Sequence, residues 1–235
     1  MLGNLALAAA TLAATATALP TYQVFSREVA DRYVFYSGDG STGAGWPAES
    51  AWGSFDELWG ANEPVMEKSC GWNDWGADNS ATEIGDIKST IQQVASSTGV
   101  DPRFVLAVVM QESKGCVRAP TTDNGVRNPG LMQSHNGQGS CAGVNPCPAE
   151  QITLMIQDGV AGTSSGDGLQ QTLAQASGAT GGSGSRSFYA AARLYNSGSA
   201  DYGNLNNGLG STPCYATDVA NRLMGWTLAA SNCQA

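Results

Sequence analysis

The stretch DPRFVLAVVMQESKG, residues 101–115, decides the fold of this chain. Asp101 followed by Pro102 is typical of the N-cap and first turn of a helix, and Gly115 is typical of a helix end. The residues between them are too apolar for a helix that lies at the surface. The sequence therefore predicts a buried helix that stops near Gly115.

Helical patterns also occur on both sides of this stretch. Ser80 and Glu83 form a capping box before apolar residues that recur every three or four positions up to Gly99. Similar periodicity predicts further helices at about 148–161, 167–177, 186–196 and 212–229. The segments without such a period are expected to be loops, at 117–146 and 197–211, with a short Gly/Ser-rich link at 178–185. We therefore expect a mainly α-helical domain whose long loop after the central helix holds at most a minimal β element.

Composition and charge limit what the chain can do. Hydrophobic residues make up 42% of its 235 residues and charged residues 13%, which favours a compact core over a disordered polymer. The 11 Lys and Arg against 20 Asp and Glu give a net charge of −9, the wrong sign for binding phosphate backbones or anionic lipid. We therefore expect neither nucleic acid nor a membrane as a partner.

The N-terminus has the pattern of a secretory signal peptide over residues 1–18. An uncharged, apolar run at 5–14 precedes the cleavage-site pattern Ala16-Thr17-Ala18. A membrane anchor is the alternative interpretation, but the run is too short and too rich in alanine for a bilayer core of roughly 30 Å. The protein is therefore expected to be secreted and extracellular.

All six cysteines lie beyond this segment, an even number that predicts three disulfides in a secreted chain. A zinc site is disfavoured because the chain has no C-x-x-C pair and a single histidine. Cys141 and Cys147 are the most natural short-loop pair. If a helix runs from Cys214 to about residue 229, its ends lie about 24 Å apart, so Cys214 and Cys233 are not expected to pair.

Beyond the signal peptide, we expect an N-terminal extension at 19–69 and a main domain at 70–235. The extension is rich in glycine, tryptophan and acidic residues without a sustained period, so it is predicted to be irregular. Its tryptophans are expected to pack on the main domain, and stacking on sugar rings is the alternative. Whether the extension is a removed pro-segment stays open.

Two short motifs are not expected to carry chemistry. Residues 38–43 match G-x-G-x-x-G, but Trp46 and Pro47 follow where a helix should open. Residues 162–166 match G-x-S-x-G, but the only histidine precedes the serine, whereas the fold that uses this motif places it afterwards. Neither a dinucleotide site nor a serine hydrolase of that class is therefore expected.

Glu112 is the candidate catalytic residue of the buried helix. It lies seven, four and three positions after Val105, Val108 and Val109, so it shares their face in the last turn. Burial there raises the pKa of the carboxyl, and the C-terminal end of the helix dipole acts in the same direction. Such a carboxyl suits a general acid. The alternative is a glutamate that faces solvent or bonds a nearby basic residue.

Three motifs, in this order, resemble the signatures of goose-type lysozymes and soluble lytic transglycosylases. They are a Glu-Ser pair at a helix end, a Gly-Leu-Met-Gln segment and an Ala-x-x-Tyr-Asn-x-Gly helix end, here at 112–113, 130–133 and 192–198. Residues 215–222 are also similar to the closing helix of that family. The resemblance covers about residues 80–228 and implies a lysozyme-like catalytic domain.

The resemblance also implies a role for each matching residue. Glu112 would protonate the glycosidic oxygen, and the Tyr195 hydroxyl would hold or tune it. The backbone near Met132 and the side chain of Gln133 would line the sugar cleft. The candidate substrate-binding residues are Ser113, Met132, Gln133, His135, Tyr195 and Asn196. A structural or surface role is the alternative for His135, and core packing is the alternative for Tyr195.

The chain departs from goose-type lysozymes after Gln133, where Ser134 and His135 replace an aspartate. Asp123 is the remaining counterpart of a residue that positions the attacking water. With Asp123 in that role, the protein would be an inverting hydrolase. Without it, attack by the C6 hydroxyl of the substrate would give the anhydro product of a lytic transglycosylase. A turn residue is the structural alternative for Asp123.

Secretion and disulfides favour a hydrolase. The sequence therefore predicts a muramidase that cleaves the β-1,4 bond between N-acetylmuramic acid and N-acetylglucosamine in peptidoglycan. Three alternatives stay open: a lytic transglycosylase, a hydrolase of chitin oligomers and a non-catalytic sugar-binding protein. No cofactor and no metal are expected, and the protein is expected to be a monomer. Because bacterial walls are anionic like this chain, activity is expected to improve in acid.

Overall fold

The structure is a computed structural model that describes residues 29–233. This part of the chain is mainly helical, as the sequence predicts. Its α-helices are α1 (Phe55–Met66), α2 (Ser69–Trp72), α3 (Ala81–Thr98), α4 (Pro102–Ser113), α5 (Ala149–Ala161), α6 (Leu169–Thr180), α7 (Ser185–Ser197) and α8 (Tyr215–Leu223). The signal peptide predicted for 1–18 lies outside the described residues. No helix within 29–233 combines the length and apolarity needed to cross a membrane.

The central helix α4 is buried on all sides. Its residues from Phe104 to Met110 are each at most 3% exposed. Asp101 caps its N-terminus by accepting a hydrogen bond from the backbone N–H of Arg103 at 2.8 Å. Helices α1, α3 and α8 pack against it. This helix is therefore the element around which the others are arranged.

The other predicted helices are present with shifts at their ends. The capping box of α3 is confirmed: the Ser80 N–H donates to Glu83 Oε2 at 2.7 Å, and Ser80 Oγ accepts from the Glu83 N–H at 3.2 Å. The predicted link at 178–185 is shorter than expected, because α6 continues to Thr180 and α7 begins at Ser185.

The long loop after α4 contains a small antiparallel hairpin, the minimal β element that the sequence allowed. Its strands are β1 (Thr122–Asp123) and β2 (Arg127–Asn128). Thr122 pairs with Asn128, and Asp123 pairs with Arg127.

The segment 19–69 was predicted to be irregular, and this is wrong for its second half, which forms α1. This helix begins with a capping box in which Ser54 and Glu57 bond each other's backbone N–H. Gly60 and Pro64 interrupt its apolar pattern, so no sustained period appears in the sequence. The helix is stabilised instead by packing of its buried face on the core, which outweighs local propensity.

The tryptophans of this segment pack in the core and do not offer a platform for a sugar. Trp46, Trp52 and Trp59 are 2%, 6% and 3% exposed. The indole N–H of Trp52 donates to the Tyr189 hydroxyl at 2.9 Å. These rings therefore hold the N-terminal segment on the helical body.

The first described residues are tied to the last helix. The Asn221 side chain bonds both the N–H and the carbonyl oxygen of Val34, each at 2.8 Å. The Asp31 carboxylate accepts hydrogen bonds from the backbone N–H groups of residues 227–229. Residues 29–37 are therefore part of the same packed body as α8.

Three disulfides join all six cysteines, as the sequence predicts: Cys70–Cys116, Cys141–Cys147 and Cys214–Cys233. The short-loop pair Cys141–Cys147 is confirmed. The exclusion of the Cys214–Cys233 pair is wrong, because α8 is shorter than predicted and ends at Leu223. The chain then turns at Gly225, whose φ of 102° is in the region that favours glycine, and returns to Cys214.

A buried ion pair fixes the long loop to the start of α3. Arg118 Nη2 lies 2.5 Å from Glu83 Oε1 and donates to Asn145 Oδ1 at 2.6 Å. The Cys147 N–H donates to the same Glu83 oxygen at 2.8 Å. Burial alone would raise the pKa of Glu83, but the hydrogen bonds from Ser80, Cys147 and Arg118 together hold it below its ordinary value. Glu83 therefore both caps α3 and anchors the loop.

We expect Glu83→Gln to lower the free energy of unfolding by roughly 3–5 kcal/mol at neutral pH, because it leaves the buried Arg118 unpaired. The folded-state pKa of Glu83 lies below its ordinary 4.5. The stabilisation by the wild-type carboxylate is therefore complete above that ordinary value and is lost as the pH falls through the folded-state pKa. Chemical denaturation at several pH values from neutral to acid measures both effects.

Glu57→Gln is the matched control, because Glu57 caps α1 in the same way but at an exposed site. Its effect on unfolding is expected to be small. Equal losses in the two variants would mean that capping alone, and not the ion pair with Arg118, stabilises the start of α3.

Candidate functional site

An open cleft of about 1070 Å³ runs past the C-terminal end of α4. The β1–β2 hairpin, the loop at 163–167 and the C-terminal end of α7 line it. Most of the lining side chains carry a hydroxyl or an amide, among them Thr122, Asn124, Asn128, Gln133, Ser165 and Asn196. Its carboxyl side chains are those of Glu112 and Asp167, and no Lys or Arg of the described residues lines it.

Glu112 is the carboxyl that the buried helix presents to this cleft. It is half-buried, and its Oε1 accepts a hydrogen bond from the Tyr215 hydroxyl. Burial raises the pKa of Glu112 to about 7, although the Tyr215 hydrogen bond and the charges of Arg222 and Lys114 act in the opposite direction. Glu112 can therefore hold a proton near neutral pH and donate it to an oxygen bound in the cleft.

Tyr215, and not Tyr195, is the tyrosine that bonds Glu112, so the expected contact of Tyr195 is wrong. The Tyr195 hydroxyl donates to the carbonyl oxygen of Met132 at 2.8 Å. Tyr215 begins α8, which packs directly on α4, and this packing brings its hydroxyl to the end of α4. The sequence does contain a signal, because a buried tyrosine on the apolar stripe of α8 needs a partner for its hydroxyl.

Ser113 connects two of the sequence motifs and does not line the cleft. It is fully buried, and its hydroxyl lies 2.8 Å from the carbonyl oxygen of Leu131 and 3.1 Å from that of Val109. Met132 is also buried and outside the lining. These two residues, which were expected to bind substrate, therefore lie buried behind the residues that line the cleft.

Gln133, His135, Tyr195 and Asn196 do line the cleft. The Gln133 amide is already used, because it donates to the carbonyl oxygens of Pro120 and Gly130 and accepts from the Thr122 hydroxyl at 2.9 Å. Gln133 therefore fixes the hairpin against the segment at 130–133.

His135 and Asn196 line the cleft from different elements. His135 is exposed next to Gly166 in the loop at 163–167. Asn196 Oδ1 accepts a hydrogen bond from Arg193, which holds the amide at the end of α7.

Asp123 does not line the cleft, and its expected role in positioning water is not supported by its place in the fold. It is exposed in β1, between Thr122 and Asn124, which both line the cleft. Successive strand residues point to opposite faces, so Asp123 points away. Its Oδ1 accepts the Gly125 N–H at 3.0 Å, the contact of a turn residue.

Asp167 is the second carboxylate of the lining, and the sequence motifs did not single it out. It lies at the exposed end of the loop at 163–167 and accepts a hydrogen bond from Gln175 at 2.5 Å. Within residues 29–233, no group of three or more His, Cys, Asp or Glu is arranged to hold a metal ion.

No protein-family model, curated protein or solved structure matches the chain. The likeness to goose-type lysozymes and soluble lytic transglycosylases therefore depends on the motifs alone.

We expect Tyr215→Phe to raise the pKa of Glu112 above about 7, because it removes the hydrogen bond that favours the ionised carboxylate. A ¹³C NMR titration of the Glu112 side-chain carboxyl measures this shift. Tyr195→Phe is the control and is expected to leave the titration unchanged, because its hydroxyl bonds Met132. A shift as large in the control would contradict the assignment of Tyr215 as the donor.

Proposed function

We propose that the protein is a muramidase-like glycosidase that cleaves the β-1,4 bond between N-acetylmuramic acid and N-acetylglucosamine in peptidoglycan. The observation that carries this proposal is the position of Glu112 at an open cleft, where burial raises the pKa of its carboxyl to about 7. Cleavage of a glycosidic bond needs an acid that gives a proton to the leaving oxygen. A carboxyl with this pKa keeps part of its protons at neutral pH, which supports Glu112 as the acid for that step.

The chemistry of the lining supports a polysaccharide substrate. Sugar hydroxyls and acetamido groups both donate and accept hydrogen bonds, and the lining offers mainly hydroxyl and amide groups to them. The open shape of the cleft suits a chain that extends beyond it at both ends. A non-catalytic sugar-binding protein would use the same lining but has no need of an acid with a raised pKa.

The motif resemblance supports a lysozyme-like domain, because its three segments meet in space. The Ser113 hydroxyl reaches the carbonyl oxygen of Leu131 at 2.8 Å, and the Tyr195 hydroxyl reaches that of Met132 at the same distance. The Glu-Ser, Gly-Leu-Met-Gln and Tyr-Asn motifs thus form one hydrogen-bonded wall beside Glu112. Three motifs that matched by chance would have no reason to be neighbours. The disulfides are compatible with secretion, as a wall-degrading enzyme requires.

A lytic transglycosylase is the second candidate, and the position of Asp123 favours it. An inverting hydrolase needs a carboxylate that activates water on the far face of the sugar. Asp123 lies outside the cleft, which leaves Asp167 as the only other carboxylate of the described lining. If Asp167 does not take that role, Glu112 would accept the proton of the C6 hydroxyl after giving its own proton to the leaving group.

We expect Glu112→Gln to keep the fold and to lower the rate of peptidoglycan cleavage at least about a hundredfold, because an amide N–H is far too weak an acid to protonate the leaving oxygen. Turbidity of purified cell walls measures the rate, and thermal unfolding checks the fold. Asp123→Asn is the matched control and is expected to keep near wild-type activity. Full activity in a folded Glu112→Gln variant would overturn the proposal.

Mass spectrometry of products from purified muropeptides separates the two chemistries. We expect reducing-end sugars from the wild type and a lower hydrolysis rate in Asp167→Asn, with oligosaccharide binding retained. If 1,6-anhydro sugars are the main product, the protein is a lytic transglycosylase and not a hydrolase. Asp167 then has no role in activating a water molecule.

A further inference from the structure

A second charged cluster lies next to Glu112 but outside the cleft lining. Asp218 and Arg222, one turn apart on α8, are bridged by the side-chain amide of Gln111, the residue before Glu112. Gln111 Oε1 accepts from Arg222 Nε at 2.7 Å, and its Nε2 donates to Asp218 Oδ2 at 3.0 Å. The Tyr33 hydroxyl donates to the other Asp218 oxygen at 2.6 Å. The cluster therefore joins the N-terminal segment, α4 and α8.

Arg222 is buried without a carboxylate in direct contact. Its side chain is 1% exposed, and its guanidinium lies 4.5 Å from the centre of the Trp226 ring. Neither Nη atom has a hydrogen-bond partner among residues 29–233. A buried cation is costly unless opposite charge lies near it. Two carboxyls act on it: Asp218, which shares Gln111 with it, and Glu112, whose partner Tyr215 lies two turns before Arg222 on the same face of α8.

Lys114 adds a second cation on the same side. Its Nζ lies 5.9 Å from the centre of the Trp226 ring. Burial and the charge of Arg222 lower the pKa of Lys114 to about 8, while the charges of Asp218 and Glu112 act in the opposite direction. The groups that act on Glu112 are thus Arg222 and Lys114 with positive charge and the hydroxyl of Tyr215, while the neutral Tyr195 hydroxyl nearby bonds Met132.

We propose that Arg222, held by Gln111 and balanced by Asp218, is a positioning residue that stabilises the carboxylate that Glu112 becomes when it gives up its proton. This inference rests on the proposed function of Glu112 as the acid. In the step concerned, the proton moves from Glu112 to the glycosidic oxygen. That oxygen keeps the electron pair of the breaking bond, and the new negative charge stays on Glu112. A cation already fixed nearby stabilises this charge without rearrangement.

Asp218 limits the same effect. If Arg222 acted alone, it would favour the ionised carboxylate more strongly before substrate binds, and a smaller fraction of Glu112 would hold its proton at neutral pH. With Asp218 beside Gln111, part of the field of Arg222 is cancelled. The two residues are therefore expected to shift the titration of Glu112 in opposite directions.

The test is a ¹³C NMR titration of the Glu112 carboxyl in three variants of the full chain. Arg222→Met is expected to move the midpoint up by about one pH unit, the lower end of what a neighbouring opposite charge does to a carboxyl. Asp218→Asn, which keeps the shape of the side chain, is expected to move it down. Arg222→Lys keeps the charge and is expected to restore most of the wild-type midpoint.

Arg103→Met is the matched control. Arg103 also stacks on a tryptophan, with its guanidinium 4.8 Å from the Trp52 ring, but it lies at the other end of α4, roughly 13 Å away along the axis. Its removal is expected to leave the Glu112 midpoint unchanged. Shifts of the same sign in Arg222→Met and Asp218→Asn, or shifts no larger than in the control, would overturn the inference.

The titration does not need activity, so the two proposals can fail separately. If Arg222→Met does not fold, Asp218→Asn decides alone, and a midpoint that does not move down in that variant overturns the inference. Opposite midpoint shifts in Arg222→Met and Asp218→Asn, together with full activity of Glu112→Gln, would support the effect of Arg222 on Glu112 and reject the proposed function. If Glu112→Gln is inactive but the Arg222 and Asp218 variants show no opposite shifts, the proposed function is supported and the role of Arg222 is rejected. If both hold, the alkaline limb of the pH–rate profile moves with the midpoint in each variant.

Discussion

The burial of α4 on all sides is the constraint on which the rest of the structure depends. A helix that is apolar around its whole circumference must be enclosed, and α1, α3 and α8 enclose it. The first polar side chains after the apolar run are therefore held where the core ends. Glu112 is one of them, and the loss of water around it outweighs the Tyr215 hydrogen bond and both nearby cations. The property that makes Glu112 a candidate acid is thus a consequence of core packing.

The same constraint explains why polar contacts of the site are made behind the cleft wall. Ser113 ends α4 in a buried position, so its hydroxyl must find partners within the protein, and the Leu131 carbonyl oxygen is one of them. The Tyr195 hydroxyl meets the same need at the Met132 carbonyl oxygen. The irregular segment at 130–133 is thereby fixed on both sides, although it has no regular structure of its own. In the proposed reaction, such a wall beside Glu112 would keep a bound oxygen at a constant distance from its proton.

Local signals in the sequence predict much of this, and tertiary packing accounts for what they miss. Asp101, Pro102 and the apolar run identify α4 because cap and composition agree. The Ser54–Glu57 capping box of α1 is a similar local signal. Gly60 and Pro64 interrupt the helical pattern of apolar residues that would have supported it. The end of α8 was misplaced because Trp226 continues the apolar stripe past Gly225, where the backbone turns. Tyr195 and Tyr215 both lie at helix ends, and only the packing of α8 on α4 decides which hydroxyl reaches Glu112.

The charges near Glu112 and the net charge of the chain act on the pKa of Glu112 in opposite directions. The nearer charges have the larger effect. The chain carries a net charge of −9, which disfavours a further negative charge. Exposed charges are screened over about 8 Å at physiological ionic strength, whereas buried neighbours are screened much less. Arg222 and Lys114 are such neighbours, and both favour the ionised carboxylate. The titration of Glu112 is therefore governed by a few enclosed groups, and the screened charges of the surface contribute little to it.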